Sequence, residues 1–290
     1  MPTVDYLLYD VFTDTPFAGN PLAVAIDPPP LDSGTCQLIA RELNLSETVF
    51  LDTTTADGVA ARIFTPTGEL PFAGHPTIGA ALALAEEGLA ESSVVLHERV
   101  GPVRVTIDAG VATLTTPATP RSVPDTADPE DVARCLGLGL GDLHPTFGVR
   151  AWSAGVPFTI VSVRDVETLG RIHVDLGWWR ETVALTSADQ LYALTPLDGP
   201  RGRRWRARMF APAMGIPEDP ATGAAAAAAS GYLAGHASEL RLEEGWIIEQ
   251  GVEMGRPSEL RVGAVRRGSE LVAATVGGQA VRVGRGQIVS

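Results

Sequence analysis

One pattern occurs twice in the chain, as "FAGHPTIGAALALA" over residues 72–85 and as "PEDPATGAAAAAASGYLA" over residues 217–234. In each copy a polar residue, His75 or Asp219, is followed at once by proline and then by a run of small apolar residues. A helix that is apolar on all sides is buried in a core. The pattern therefore predicts two buried, alanine-rich helices.

The predicted helices span about 76–87 and 220–234, with Pro76 and Pro220 in their first turns, where proline is tolerated. This places His75 and Asp219 at or beside the two N-caps, where a polar side chain has a structural use without any catalytic role. Further helices are predicted at about 34–43 and 128–137.

The repeat continues upstream of the helices, since "RIFTP" begins at Arg62 and "RMFAP" begins at Arg208. Each copy is predicted to be a strand, a tight turn and a helix. Runs with strand-like alternation occur in both halves, at 6–12, 22–26, 48–52, 59–65, 103–108, 111–116, 157–163, 204–210, 246–250, 259–265 and 270–276. The predicted fold is α+β, with two pseudo-symmetric halves that are each a curled β-sheet or barrel around a central helix.

A length of 290 residues also favours two halves, because it exceeds the usual size of one domain. The segment 117–130 is rich in proline, threonine and aspartate, as a linker would be. We place the boundary there, giving an N-terminal half at 1–118 and a C-terminal half at 119–290, with the last strand packing back on the N-terminal half. A repeat of this kind is also explained by duplication of a stable unit with no chemistry at the seam.

The charge of the chain argues against nucleic acid as a partner, because the formal net charge is −13. The basic stretch "RGRRWRARMF" at 201–210 alternates cationic and apolar residues. It is read as a strand with Arg204, Arg206 and Arg208 on a wet face. All 22 cationic side chains are arginine, which excludes a Walker phosphate loop, a lysine Schiff base and a lysine general base.

Other residue types limit cofactors and location. The five histidines show no pair at metal-ligand spacing, and no dinucleotide fingerprint is present, so we expect no metal and no organic cofactor. Cys36 and Cys135 are predicted to be buried thiols on helices. No secretory signal and no apolar run long enough for a bilayer is visible, so a cytoplasmic location without a membrane partner is expected.

The two helix-opening loops are candidate anion sites, because the first turn of a helix presents amide groups and about half a positive charge. Neither loop contains a cation. We expect the loops 74–77 and 219–223 to face each other across a cleft and to bind a carboxylate through backbone amides.

The motifs "DVFTDTPFAGNPLAV" (10–24), "NLSETVFL" (44–51), "TPTGELPFAGHPTIGAA" (65–81), "EDPATGAAA" (218–226) and "QGVEMGRPSEL" (250–260) together resemble the phenazine biosynthesis PhzF-like family, relatives of diaminopimelate epimerase. The resemblance spans residues 10–260. It implies a homodimeric isomerase or epimerase that moves a proton on a small carboxylic acid in the interdomain cleft, by acid–base catalysis without a cofactor.

The resemblance also implies roles for individual residues. The family's catalytic glutamate matches Glu47, and its site histidine and aspartate match His75 and Asp219. Substrate binding is implied for six further positions of these motifs, namely Asn20, Ser46, Gly74, Thr77, Thr222 and Gly223. A plainer reading of Ser46 and Glu47 is a polar turn before a strand.

One position departs from the family pattern, because Ala224 stands where the phenazine isomerase has a serine that helps to hold substrate. The departure makes a related but different acid plausible. Two thiols at the helix-opening loops define the cysteine-based epimerases, and His75 and Asp219 stand there instead. The alternatives to an isomerase are a catalytically silent small-molecule binding protein of the same fold and a scaffold without a cleft ligand.

Overall fold

The computed structural model describes residues 3–55, 58–199, 202–236 and 243–289. The chain forms two compact units, the first comprising Met1–Thr115 with Gly277–Ser290 and the second Thr116–Val276. Arg201, in the basic stretch discussed above, lies outside the described residues.

The strands are β1 (Thr3–Val11), β2 (Asn20–Ile26), β3 (Glu47–Asp52), β4 (Val59–Phe64), β5 (Glu69–Leu70), β6 (Ser93–Glu98), β7 (Gly101–Asp108), β8 (Val111–Thr115), β9 (Arg121–Val123), β10 (Val149–Ser153), β11 (Pro157–Ser162), β12 (Gln190–Pro196), β13 (Arg204–Ala211), β14 (Ile216–Asp219), β15 (Glu243–Gln250), β16 (Ser258–Arg267), β17 (Glu270–Gly278) and β18 (Ala280–Val289). The α-helices are α1 (Ser33–Leu43), α2 (Gly74–Glu86), α3 (Pro129–Cys135), α4 (Val166–Gly170), α5 (Leu176–Glu181) and α6 (Gly223–Gly235).

The first unit is a mixed sheet in the order β18, β1, β2, β3, β4, β6, β7, β8. Its parallel pairs are β2 with β3 and β4 with β6. Parallel neighbours need a crossover connection, and α1 and α2 lie in those two connections. Helix α2 packs against strands from both ends of the sheet, so the sheet curls around it.

The second unit repeats this topology in the order β9, β10, β11, β12, β13, β15, β16. Its parallel pairs are β11 with β12 and β13 with β15, and α6 lies in the second crossover, as α2 does in the first unit. Helix α6 packs against β9, β10, β11, β15 and β16. The predicted α+β fold of two similar halves, each a sheet around a central helix, is confirmed.

The two central helices are buried almost along their whole length. In α2 every residue from Gly74 to Leu84 is buried, and in α6 the buried residues include Ala225 to Ala234. Their small side chains are needed for the close approach of the sheet. A Cβ added at Gly79 of α2 would lie 2.4 Å from Leu22 Cδ2 of β2, nearer than carbon atoms can approach.

The helix starts differ from the prediction in the second unit. Helix α6 begins at Gly223 with Thr222 as N-cap, so Pro220 is not in its first turn. Asp219 is the last residue of β14 and pairs with Met209 of β13, so it is not beside the cap. The extended β14 continues the chain to Asp219, which delays the helix by three residues.

In the first unit the helix begins at Gly74 and its N-cap is Ala73, which makes no side-chain capping bond. His75 is therefore the second helical residue and not the cap. Pro76 lies in the first turn, as predicted.

One arginine of the basic stretch also departs from the prediction. Arg208 is 9% exposed and forms a double hydrogen bond with Glu218, 2.8 Å from Nε to Oε1 and 2.8 Å from Nη2 to Oε2. Its Nη1 donates to the carbonyl oxygens of Leu169 and Ile172. The prediction that Arg208 faces solvent is wrong, because β14 folds back beside β13 and brings Glu218 over Arg208. Arg62 of β4 and Glu69 of β5 form the equivalent pair in the first unit, at 3.1 Å.

The segment predicted as a linker, 117–130, contains strand β9 and the first two residues of α3. Helices α4 and α5 were not predicted either, since they are short and are held by aspartate N-caps, Asp165 and Asp175. None of the helices in the described parts of the chain is both long and apolar enough to cross a membrane.

Candidate functional site

The first unit brings the predicted catalytic residues Glu47 and His75 into contact. Glu47 is the first residue of β3, and His75 lies in the first turn of α2, which packs against β3. The distance from His75 Nδ1 to Glu47 Oε2 is 3.0 Å, with 5% of the His75 side chain and 16% of the Glu47 side chain exposed. The two titratable groups stand within ion-pair distance of each other. The pair can therefore hold and release a proton at a sheltered position that solvent still reaches.

Four more predicted site residues of this unit lie on α2, on β2 or directly before β3. Gly74 and Thr77 belong to the first turn of α2 and are buried. Asn20 begins β2, 1% exposed, and the register pairs Leu22 of that strand with Glu47. Ser46 directly precedes β3 and is half-buried. The amide groups at the start of α2 and the side chains beside Glu47 thus lie at the same end of these strands.

The second unit holds Asp219 at the end of β14, and Thr222 and Gly223 at the start of α6. Thr222 Oγ1 donates a short hydrogen bond to Asp219 Oδ2, and Gly223 is the first residue of the helix. Asp219 is 9% exposed. Its carboxylate is therefore fixed by the N-cap residue of the helix that follows it.

Gln250, for which no role is predicted from the sequence, completes this second group. It is fully buried at the end of β15, and its Nε2 donates to the carbonyl oxygen of Asp219 at 2.8 Å and to Thr222 Oγ1 at 3.1 Å. Its Oε1 accepts from the hydroxyl of Tyr192 at 3.1 Å and from the amide of Thr222 at 3.3 Å. The signal was present, because Gln250 opens the motif "QGVEMGRPSEL".

The thiols do not belong to either group. Cys36 lies in α1 and Cys135 in α3, and both are buried and free. Burial raises the pKa of Cys36, and it raises the pKa of Cys135 to about 12. Within the described ranges, no three His, Cys, Asp or Glu side chains are placed to hold a metal ion.

The family model for phenazine biosynthesis-like proteins (PhzC-PhzF) matches residues 9–286. An uncharacterized isomerase of Mesorhizobium japonicum is 40% identical over 303 residues, covering 99% of each chain. The trans-2,3-dihydro-3-hydroxyanthranilate isomerase of Pseudomonas chlororaphis is 36% identical over 288 residues, covering 98% of this chain and 99% of its own. The crystal structure of the Bacillus anthracis PhzF-family phenazine biosynthesis protein has the same fold, with a TM-score of 0.91, full coverage of both chains and 24% identity.

These similarities define the class of protein as an isomerase, which confirms that prediction. The chain belongs to the phenazine biosynthesis-like PhzF family, as the motifs predicted.

Proposed function

We propose that this isomerase moves a proton on a small carboxylic acid without a cofactor, and that Glu47 is the acid and base. In the proposed reaction a C–H proton passes to the Glu47 carboxylate. Glu47 then returns a proton to carbon at a different position or on a different face, so the product is an isomer and no electron acceptor is needed. The 3.0 Å contact between Glu47 and His75 is the observation that carries the proposal.

This contact suits proton transfer for two reasons. A positioned carboxylate contributes most when a second group fixes its orientation, and the buried His75 ring does this from the first turn of a buried helix. His75 also supplies a second place for the proton, since an imidazole accepts and donates near neutral pH. A polar turn residue needs neither feature.

We propose that backbone amides at the start of α2 bind the carboxylate of the substrate. The first turn of a helix offers unpaired N–H groups and a partial positive charge, which favour an anion there. Asn20 and Ser46 lie at the same end of the strands as Glu47 and supply polar contacts to the rest of the ligand. The described neighbours thus match a small, polar acid.

Asp219 is proposed as a second catalytic or positioning group. Thr222 and Gln250 hold it in place, with Gln250 bonded to its backbone and Thr222 to its carboxylate. We propose that Thr222 and Gly223 also bind substrate through the start of α6. That Asp219 and Glu47 act on the same substrate molecule stays a prediction.

The particular acid is open because of Ala224, which stands where the phenazine isomerase has serine and has no hydroxyl to offer. The substrate in the name of the Pseudomonas chlororaphis relative, trans-2,3-dihydro-3-hydroxyanthranilate, is the first compound to try. A homodimeric assembly is part of the same proposal, and light scattering of the pure protein tests it.

The test is incubation with candidate acids in deuterium oxide, followed by NMR of the substrate and product. An isomerase of the proposed kind places solvent deuterium on a carbon atom as product forms. A catalytically silent binding protein would raise its melting temperature with the ligand but exchange no carbon-bound proton. Product formation without deuterium would mean that the proton does not exchange with solvent before it returns to carbon, and substrate deuterated at the reacting carbon would then keep its label in the product.

A further inference from the structure

A second buried carboxyl group touches the helix turn that carries His75. Glu98 is the last residue of β6 and is 7% exposed. Its Oε1 lies 2.6 Å from the hydroxyl oxygen of Thr77 in α2. Its Oε2 is buried and has no hydrogen-bond partner among the described residues.

The hydroxyl of Thr77 is shared between two oxygen atoms. It lies 2.6 Å from Glu98 Oε1 and 2.7 Å from the carbonyl oxygen of Ala73, the N-cap of α2. A threonine hydroxyl has one proton, and a carbonyl oxygen has none to give. A deprotonated Glu98 leaves one proton for both contacts, whereas a protonated Glu98 supplies a proton for each. Protonated Glu98 then donates to Thr77, and Thr77 donates to Ala73.

The surroundings favour the protonated form of Glu98. Burial raises its pKa to about 7, although the Thr77 hydroxyl acts in the opposite direction. Arg99 is mostly exposed and pairs with Glu69 at 3.6 Å. The other titratable or charged groups on β6 and on the elements that surround it, α2, β4 and β7, are His75, Glu86, His97, Arg62, Arg104 and Asp108.

We propose that Glu98 is a positioning residue, which in its protonated state locks the first turn of α2 through the chain Glu98–Thr77–Ala73 and so holds His75 against Glu47. The consequence of this role of Glu98 for catalysis rests on the proposed function, but the effect of Glu98 on the helix turn does not. When Glu98 loses its proton, the Thr77 proton turns to the carboxylate and Ala73 keeps only the long bond from the Thr77 amide, 3.3 Å.

The primary test uses NMR on the protein alone, with carbon-13 in the glutamate carboxyl groups and in the backbone carbonyls. The Glu98 signal is assigned by its loss in Glu98→Gln. We expect it to titrate near pH 7, with a step at the same pH in the Ala73 carbonyl signal. Glutamine donates to Thr77 at every pH, so the Ala73 step should vanish in Glu98→Gln. A Glu98 signal that titrates near the ordinary value of 4.5, or an Ala73 step that persists in Glu98→Gln, would overturn the proposal.

A second pair of variants keeps the test decisive if Glu98→Gln does not fold. Thr77→Ser retains the hydroxyl and should retain the Ala73 step, whereas Thr77→Val removes the link and should abolish it. A step that survives in Thr77→Val would refute the chain. Both measurements are made without substrate, so an absence of deuterium exchange would count against the proposed function and leave the role of Glu98 to be decided by these titrations.

Discussion

His75 Nδ1 lies 3.0 Å from Glu47 Oε2, with both residues placed by the packing of α2 against β3. The contact joins the second residue of a buried helix to the first residue of a strand. The His75 side chain is held in place because α2 is surrounded by the sheet. A glutamate and a histidine within ion-pair distance form the central element of the proposed mechanism.

Replacing His75 should separate orientation from proton relay. Asparagine at position 75 can keep a donor near the place of Nδ1, but it cannot take up a proton, and alanine supplies neither. We expect both variants to lose about 10² or more in exchange rate, with His75→Asn binding ligand better than His75→Ala. His173→Asn is the control, since His173 is exposed in the second unit. Full activity in His75→Asn would assign His75 to orientation alone.

The buried pair of Arg208 and Glu218 should matter for stability. Arg208→Ala leaves the Glu218 carboxylate and two backbone carbonyls without their donor, which should lower the free energy of unfolding by about 3 kcal/mol or more. Arg204 is the matched control on the same strand, because its side chain is 47% exposed and pairs with Glu249 at the surface. Its replacement by alanine should cost about 1 kcal/mol or less. Urea denaturation measures both, and equal losses would contradict the account of Arg208.

The stability of the protein should carry a pH dependence from Glu98. The pKa of Glu98 is about 7 in the folded protein, above the ordinary value of 4.5, so the folded state holds this proton more tightly than the unfolded chain. The stabilisation that this proton adds to the folded state is fully present below pH 4.5 and is lost as the pH rises to about 7. At about 1.4 kcal/mol for each pKa unit, the loss is roughly 3 kcal/mol.

The difference in unfolding free energy between wild type and Glu98→Gln isolates this effect from the other carboxyl groups. This difference should change between pH 4.5 and about pH 7 and stay level above that range. A difference that is constant from acid to neutral pH would contradict the buried, protonated state of Glu98.

Both thiols should be inert in the folded protein. Burial raises the pKa of Cys36 and of Cys135, so neither forms the reactive thiolate at neutral pH. A thiol reagent such as dithionitrobenzoate should label both cysteines in denaturant and neither beforehand. Rapid labelling of one thiol in the native protein, with loss of isomerase activity, would revive a cysteine-based mechanism.

The sequence was informative where one local pattern determines the structure. The two alanine-rich helices could be predicted because they have no polar face, and the strands with clear alternation were found in both units. A last strand packing back on the N-terminal half was expected, but the residues of β18 were not among the predicted strand runs, because "AVRVGRGQIV" mixes arginine and glycine into a strand whose residues are mostly half-exposed. Its place beside β1 is set by pairing with the other end of the chain, which no local pattern encodes.

The site was predictable only in part for the same reason. Family motifs pointed to Glu47 and His75, but their contact depends on how α2 packs against β3. Asp219 was expected at a helix cap, and the short β14 keeps it in a strand instead. Glu98 was not singled out, because a glutamate at the end of "SVVLHE" reads as a solvent-exposed strand end until the fold buries it.

The role of Glu47 as acid and base is tested by the rate of deuterium incorporation into substrate by wild type and Glu47→Gln. Glutamine keeps the shape of the side chain and its contact with His75 but cannot transfer the proton. Glu42→Gln, an exposed glutamate on α1, is the matched control. Glu47→Gln should still bind ligand and lose about 10² to 10⁴ in exchange rate, while Glu42→Gln should exchange like wild type. Exchange by Glu47→Gln at the wild-type rate would contradict the assignment of Glu47 as the acid and base.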